Sequence, residues 1–211
     1  LGVGKLQIAR PQDITTKQAA SAVGQCELMY TYDRLFGQYN HTVAQMLLTW
    51  EDFDHETRLR NLRSTLERLL ELGAIPIINE NDSVACEEYS LGDNDTLAAL
   101  VAQCIHADLV VLLSDIDGLY TADPHSDPGA RPIPVVEEVT PEIERLAGGA
   151  GSSLGTGGML TKVVAAKRAN QAGVDLIIAN GARAEVLYDI LDGKPVGTRF
   201  IGKKEVPYDH A

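Results

Sequence analysis

The sequence predicts an α/β domain built on a largely parallel sheet, and three observations carry that reading. Short, almost wholly apolar runs such as "AIPIIN", "DLVVLLS" and "VDLIIAN" have the length and composition of strands covered on both faces. Longer segments with apolar residues at helical spacing lie between them. Strand and helix patterns then alternate along the chain, as successive crossover units require.

The elements follow in order. The opening, "LGVGKLQIARPQD", reads as a loop with no strand ahead of it. From Thr15 to Tyr39 the pattern is helical, with Ala19, Val23, Leu28, Leu35 and Phe36 as an approximate apolar stripe and Gly37 near the end. "HTVAQMLLT" reads as a strand. The segment Glu56–Gly73 is an amphipathic helix with Leu59, Leu62, Leu66, Leu69 and Leu70 on one face and Gly73 as its C-terminal cap. "AIPIIN" is the next strand, Leu91–Ala107 a helix and "DLVVLLS" a strand. "RPIPVVEEV" reads as a short strand or hairpin arm whose prolines favour an edge. In "TPEIERLAG", Thr140 as N-cap and Pro141 at the first helical position mark a helix start. "GMLTKVVAAKRANQAG" is a helix fed by a glycine-rich loop. "VDLIIAN" is a buried strand, "AEVLYDILDG" a helix, and "KPVGTRFI" is expected to return as an edge strand.

Composition narrows the function classes. The 211 residues carry a net charge of −12, which argues against a nucleic-acid partner. No apolar run is long enough to span a membrane and no secretory-leader pattern opens the chain. Cys26, Cys86 and Cys104 are odd in number with no CxxC spacing. The expectation is therefore a cytoplasmic protein with reduced thiols rather than a disulfide frame or zinc site. The five histidines show no ligand spacing.

Groups that do chemistry in open parallel sheets gather beyond the carboxyl ends of the strands. Four stretches are expected there: "NENDSV", "GDNDT", "SDIDGLYTADP" and the loop "SLGTGGMLTK". The loop fits neither the Walker pattern, lacking a Gly-Lys pair, nor the dinucleotide fingerprint, with Leu160 where a glycine belongs. Even so, six of the eleven residues from Gly148 to Gly158 are glycine, which lets main-chain N–H groups turn toward an anion. The loop feeds a helix N-terminus, and Lys162 is placed about one turn inside that helix. "GDNDT" supplies Asp93, Asn94 and Asp95 at a helix start, more than one cap needs. "NENDSV" crowds Asn79, Glu80, Asn81 and Asp82 at a strand end. Asp82 and Asn94 together suit an amino-acid ligand. Ser114 and Asp115 are further candidates, whereas Asp117 and Asp123 read as turn residues.

"PIINENDSV", "GDNDTLAALVA", "LLSDIDGLYTADP", "AGGAGSSLGTGGMLTK" and "IIANG" resemble, in order and spacing, the glutamate 5-kinase branch of the amino acid kinase family. The resemblance extends to about Gly202. It implies a three-layer αβα sandwich around a mainly parallel sheet. It also implies a transferase that moves the γ-phosphoryl group of ATP, with Mg2+ held mainly by the phosphates, to the γ-carboxylate of L-glutamate, the first step of proline biosynthesis. By position, Asp82 and Asn94 resemble glutamate-binding residues. Asp95 resembles the acid that orients the catalytic lysines, and Lys162 the lysine that follows the moving phosphoryl group. Ser114, Asp115, Thr156, Gly157, Gly158, Met159, Leu160, Thr161 and Lys162 resemble the ATP site. The resemblance further implies a homo-oligomer, dimer or tetramer, with L-proline as a feedback inhibitor.

Two departures set expectations of their own. The family begins with a strand bearing a phosphate-contacting lysine and then a glycine-serine loop, and neither precedes Leu1. Residues 1–202 are thus expected to be an amino acid kinase domain lacking that start, and inefficient as they stand, with 203–211 a C-terminal tail. The C-terminal domain that many members share with RNA-modifying enzymes is not expected. Rival readings are a relative acting on acetylglutamate, aspartate, carbamate or UMP, and a non-catalytic glutamate or proline sensor. "NENDSV" with "GDNDT" argues against the former.

Overall fold

The structure, a computed structural model of the chain, describes residues 1–85, 91–124, 126–148 and 158–203. The chain forms two compact units, Leu1–Leu91 and Gly92–Ala211.

The first unit contains α1 (Gly2–Leu6), α2 (Ile14–Gly37), β1 (Thr42–Leu48), α3 (Glu51–Asp54), α4 (Glu56–Glu71) and β2 (Ala74–Glu80). β1 and β2 pair in parallel, from Thr42 opposite Ala74 to Leu48 opposite Glu80. α2 begins where the Asp13 carboxylate accepts the Thr16 N–H at 2.8 Å, a side-chain cap for an otherwise unpaired amide. The opening segment is a short helix rather than a loop. α1 packs on α2 so closely that a Cβ at Gly2 would lie 1.7 Å from the Ala20 carbonyl oxygen, an approach only glycine permits. In α4, Leu62 and Leu66 are buried and Leu59 and Leu69 half-buried, but Leu70 is exposed. It occupies the last turn, where the packed stripe ends. Gly73 then takes the left-handed conformation (φ 73°) that stops the helix.

The second unit contains α5 (Asn94–Cys104), β3 (Leu109–Ser114), β4 (Val135–Val136), α6 (Pro141–Ala147), α7 (Met159–Gln171), β5 (Asp175–Asn180), α8 (Val186–Leu191) and β6 (Thr198–Phe200). Its sheet has the order β3-β5-β6-β4. β3 pairs with β5, and β4 with β6, in parallel, while β5 and β6 are antiparallel. The α/β class and mainly parallel pairing expected of the sequence are therefore present. β5 is sealed on both faces. Leu176 and Ile178 join a core with Val163, Ala166 and Ala169 of α7, and Ile177 and Ala179 pack with Val186 and Ile190 of α8.

Two strands differ from expectation. β6 is not an edge: it lies between β5 and β4, with Phe200 and Thr198 buried and Arg199 between them exposed. Its approach to β5 depends on Gly197 (φ 68°), where a Cβ would stand 2.1 Å from the Ile178 carbonyl oxygen. β4 is shorter than "RPIPVVEEV" suggests. Pro132 and Pro134 have no N–H for a ladder, and only Val135–Val136 pairs, with a lone antiparallel bridge from Tyr120 to Pro132. Among the described residues no helix is long and apolar enough to cross a membrane.

Candidate functional site

In the second unit, α5 leads into β3 and α7 into β5 through short turns, and each helix packs back on the strand it precedes. This topology puts the N-termini of α5 and α7 at the same end as the carboxyl ends of β3 and β5. The two helices pack against each other, and Ala98, Ala99, Ala102, Ala165, Ala166 and Ala169 contribute to the core around that contact. Small side chains allow such helices a close approach, so their first turns meet.

Asp93 caps α5, its carboxylate accepting the Thr96 N–H at 2.7 Å. With the cap supplied, Asp95 is released for another use. Lys162 Nζ donates to Asp95 Oδ2 at 2.9 Å, and the two side chains are only 11% and 16% exposed. The pairing answers a local conflict. A cation in a helix's first turn is opposed by the helix dipole, and α7 has neither an acid in its first turn nor a side-chain cap on Gly158. The neighbouring helix provides the missing carboxylate. Thr161 Oγ1 lies 3.1 Å from the same Asp95 oxygen and 2.7 Å from the Gly158 carbonyl.

Gly158, Met159, Leu160, Thr161 and Lys162 thus form one uncapped helix start, the geometry that offers main-chain N–H groups to an anion. Among the described residues, a Cβ at Gly158 would meet nothing within 4 Å. Thr156 and Gly157 lie outside the described residues. At the strand ends, Ser114 Oγ donates to Asp115 Oδ1 at 3.1 Å, and Asp115 is exposed. Asp117 accepts the Asn180 side-chain amide at 2.9 Å, tying the turn after β3 to the end of β5. Asn94 is exposed at the start of α5.

In the first unit, Asp82 follows β2 and lines a cavity of about 400 Å³ together with Arg10, Lys17, Gln25, Asn79 and Glu80. Asn79 Nδ2 donates to Gln25 Oε1 at 3.0 Å, and Gln25 Nε2 to Gln45 Oε1 at 3.2 Å. Asp82 is an exposed residue at the margin of this concavity. Partial loss of water, and secondarily the charge of Glu80, raise its carboxyl above the usual aspartate range. Carboxylates, cations and amides around one cavity match the mixed charge of a free amino acid. Sequence reasoning missed Arg10, Lys17 and Gln25, which sit on or ahead of a helix. No local pattern marked them, because they meet at the cavity only through folding.

A larger concavity, about 520 Å³, lies at the opposite end of the second unit, where Asp175 is already bonded to Arg199 and to the Gly202 N–H. No group of three or more His, Cys, Asp or Glu among the described residues is placed to hold a metal ion.

Residues 4–180 match the amino acid kinase family. The chain is 49% identical over 209 residues to a glutamate 5-kinase of Clostridium perfringens, covering 97% of this chain and 78% of that protein. It is 50% identical over 196 residues to a glutamate 5-kinase of Geobacter sulfurreducens, covering 93% of this chain but 52% of the relative. The fold is also that of the crystal structure of uridylate kinase from Archaeoglobus fulgidus, with TM-score 0.56 at 18% identity over 94% of this chain and 76% of that one.

Proposed function

The chain belongs to the amino acid kinase family, and from that premise we propose that it phosphorylates the γ-carboxylate of L-glutamate with ATP, forming γ-glutamyl phosphate. The observation that carries the reading is the buried Lys162, held by Asp95 at an uncapped helix start. The half-identical glutamate 5-kinases supply the substrate.

The residue chemistry supports it. The glutamate γ-carboxylate is ionised near neutral pH, so attack on phosphorus needs no general base. The barrier is an anion approaching a polyanion, and it falls through positioning and positive charge. Main-chain N–H groups of residues 158–161 cradle the phosphates, and the Lys162 ammonium neutralises the group in flight. Asp95 holds that ammonium in reach, as a positioning carboxylate. Ser114 and Asp115 border the nucleotide. Asp82 and Asn94 are each assigned to L-glutamate, Asp82 to its ammonium. Mg2+, held mainly by ATP oxygens, would shield phosphate charge. A cytoplasmic homo-oligomer inhibited by L-proline completes the proposal.

Trapping the acyl phosphate with hydroxylamine tests the reading. The full-length gene product is offered ATP with L-glutamate, acetylglutamate, aspartate, carbamate or UMP. Hydroxamate is expected with L-glutamate. No product with it, or a better one with a rival, refutes the proposal, and calorimetric binding of glutamate without turnover would identify a sensor instead.

A further inference from the structure

Lys162 cannot serve two anions equally. Its ammonium sits 2.9 Å from Asp95 Oδ2 in a site that admits little water, and an arriving phosphoryl group must draw it away. Each step of that withdrawal exposes a partly buried carboxylate with a weaker partner, which is costly. Thr161, the residue before Lys162, is built into this spot. Its one hydroxyl proton has two acceptors in reach, the Gly158 carbonyl at 2.7 Å and Asp95 Oδ2 at 3.1 Å, and it serves one at a time.

We propose that Thr161 is a positioning residue whose hydroxyl exchanges acceptors as Lys162 moves. With Lys162 on Asp95, the proton points to the Gly158 carbonyl at the start of α7. When the ammonium turns to phosphate, the hydroxyl rotates and donates to Asp95 Oδ2. The carboxylate thereby stays solvated by protein, and the Gly158 carbonyl is released. No covalent bond changes; a torsion about the Thr161 Cα–Cβ or Cβ–Oγ bond suffices. The role rests on the kinase reading above and goes beyond it, since it separates Thr161's side chain from the main-chain cradle.

Thr161→Val keeps the shape and removes the hydroxyl; Thr161→Ser keeps the hydroxyl. On the full-length gene product, Thr161→Val is expected to lower kcat by about tenfold or more, the scale of a hydrogen bond to a charged group. KM for ATP should stay within about threefold, because the bond is strengthened after binding, and serine should restore most of the loss. Unchanged kcat, a loss confined to KM, or a serine variant as impaired as valine would overturn the role. A second arm needs no turnover. In a Lys162→Met background, where the hydroxyl is free to turn to Asp95, the changes in urea midpoint for Thr161→Val, Asp95→Asn and both together should be less than additive, and strict additivity would overturn the contact. That arm decides the Thr161 claim even if the wild-type protein forms no acyl phosphate, an outcome that would sink the kinase reading instead.

Discussion

Lys162→Met removes the ammonium while nearly conserving volume, and its consequences can be worked from the geometry. At 2.9 Å and an effective dielectric of about 20, the attraction between Lys162 and Asp95 is roughly 6 kcal/mol. Desolvation of both ions offsets most of it, so the intact pair adds little net stability. Removing one partner is different. The Asp95 carboxylate, 16% exposed, is stranded, at a cost of about 3–5 kcal/mol. Thr161's hydroxyl remains in reach and places the estimate near the lower end, about 3 kcal/mol. A chain of this size should lose roughly 6–12 °C in Tm but stay folded. Turnover should fall a hundredfold or more, as for loss of one transition-state charge donor. The diagnostic is the double variant Lys162→Met/Asp95→Asn: neutralising the stranded acid should return most of the stability and none of the turnover. Urea denaturation and acyl-phosphate trapping read the two quantities separately. Turnover within about threefold of wild type in Lys162→Met, or a double variant no more stable than the single, would refute the reasoning.

Asp82 carries a pH signature. Its folded-state carboxyl is raised from 3.8, by loss of water first and Glu80 second. The folded chain therefore holds the proton more tightly than the unfolded one. This group's contribution to stability is fully present below the unfolded value and is lost as pH rises through the elevated folded one. Asp82→Asn should flatten that part of the urea-midpoint profile, and an unaltered profile would exclude the shift. Glutamate affinity should weaken as pH falls through the same range, because the ammonium partner must be the carboxylate. Gly197→Ala should destabilise by more than about 3 kcal/mol, since left-handed strain adds to a Cβ clash at 2.1 Å. Gly193→Ala, at φ 74° with open space around it, should cost only about 1 kcal/mol; equal thermal shifts would contradict the clash argument. Thr198→Val, in place of a buried hydroxyl that accepts the Leu119 N–H at 2.8 Å and donates to the Ile133 carbonyl at 2.6 Å, should cost about 1–3 kcal/mol, measured by urea titration.

Local chemistry by itself determined the elements. Caps announce α6 through Thr140 and Pro141 and the stop of α4 through Gly73. The unbroken apolar run of β5 announces a strand sealed on both faces. These signals act within a few residues, because a hydrogen bond to a helix end or a covered strand face is encoded by neighbours in the chain. The short α1 carried too weak a signal, since its formation rests on glycine-close packing against α2.

Tertiary structure decided what depends on distant partners. "KPVGTRFI" contains no statement of which strands flank it, and only the sheet order makes β6 interior and leaves β3 and β4 outside it. Asp95 and Lys162 are 67 residues apart, and their composition alone offers capping and a solvated lysine as readings. Packing of two alanine-rich helices brings their first turns together and turns those readings into one buried ion pair. The cavity beside Asp82 was likewise invisible, because Arg10, Lys17 and Gln25 reach it only once α2 lies along β1. A chain spells its local conformations through short-range bonds, whereas a site is a coincidence of surfaces that folding alone brings together.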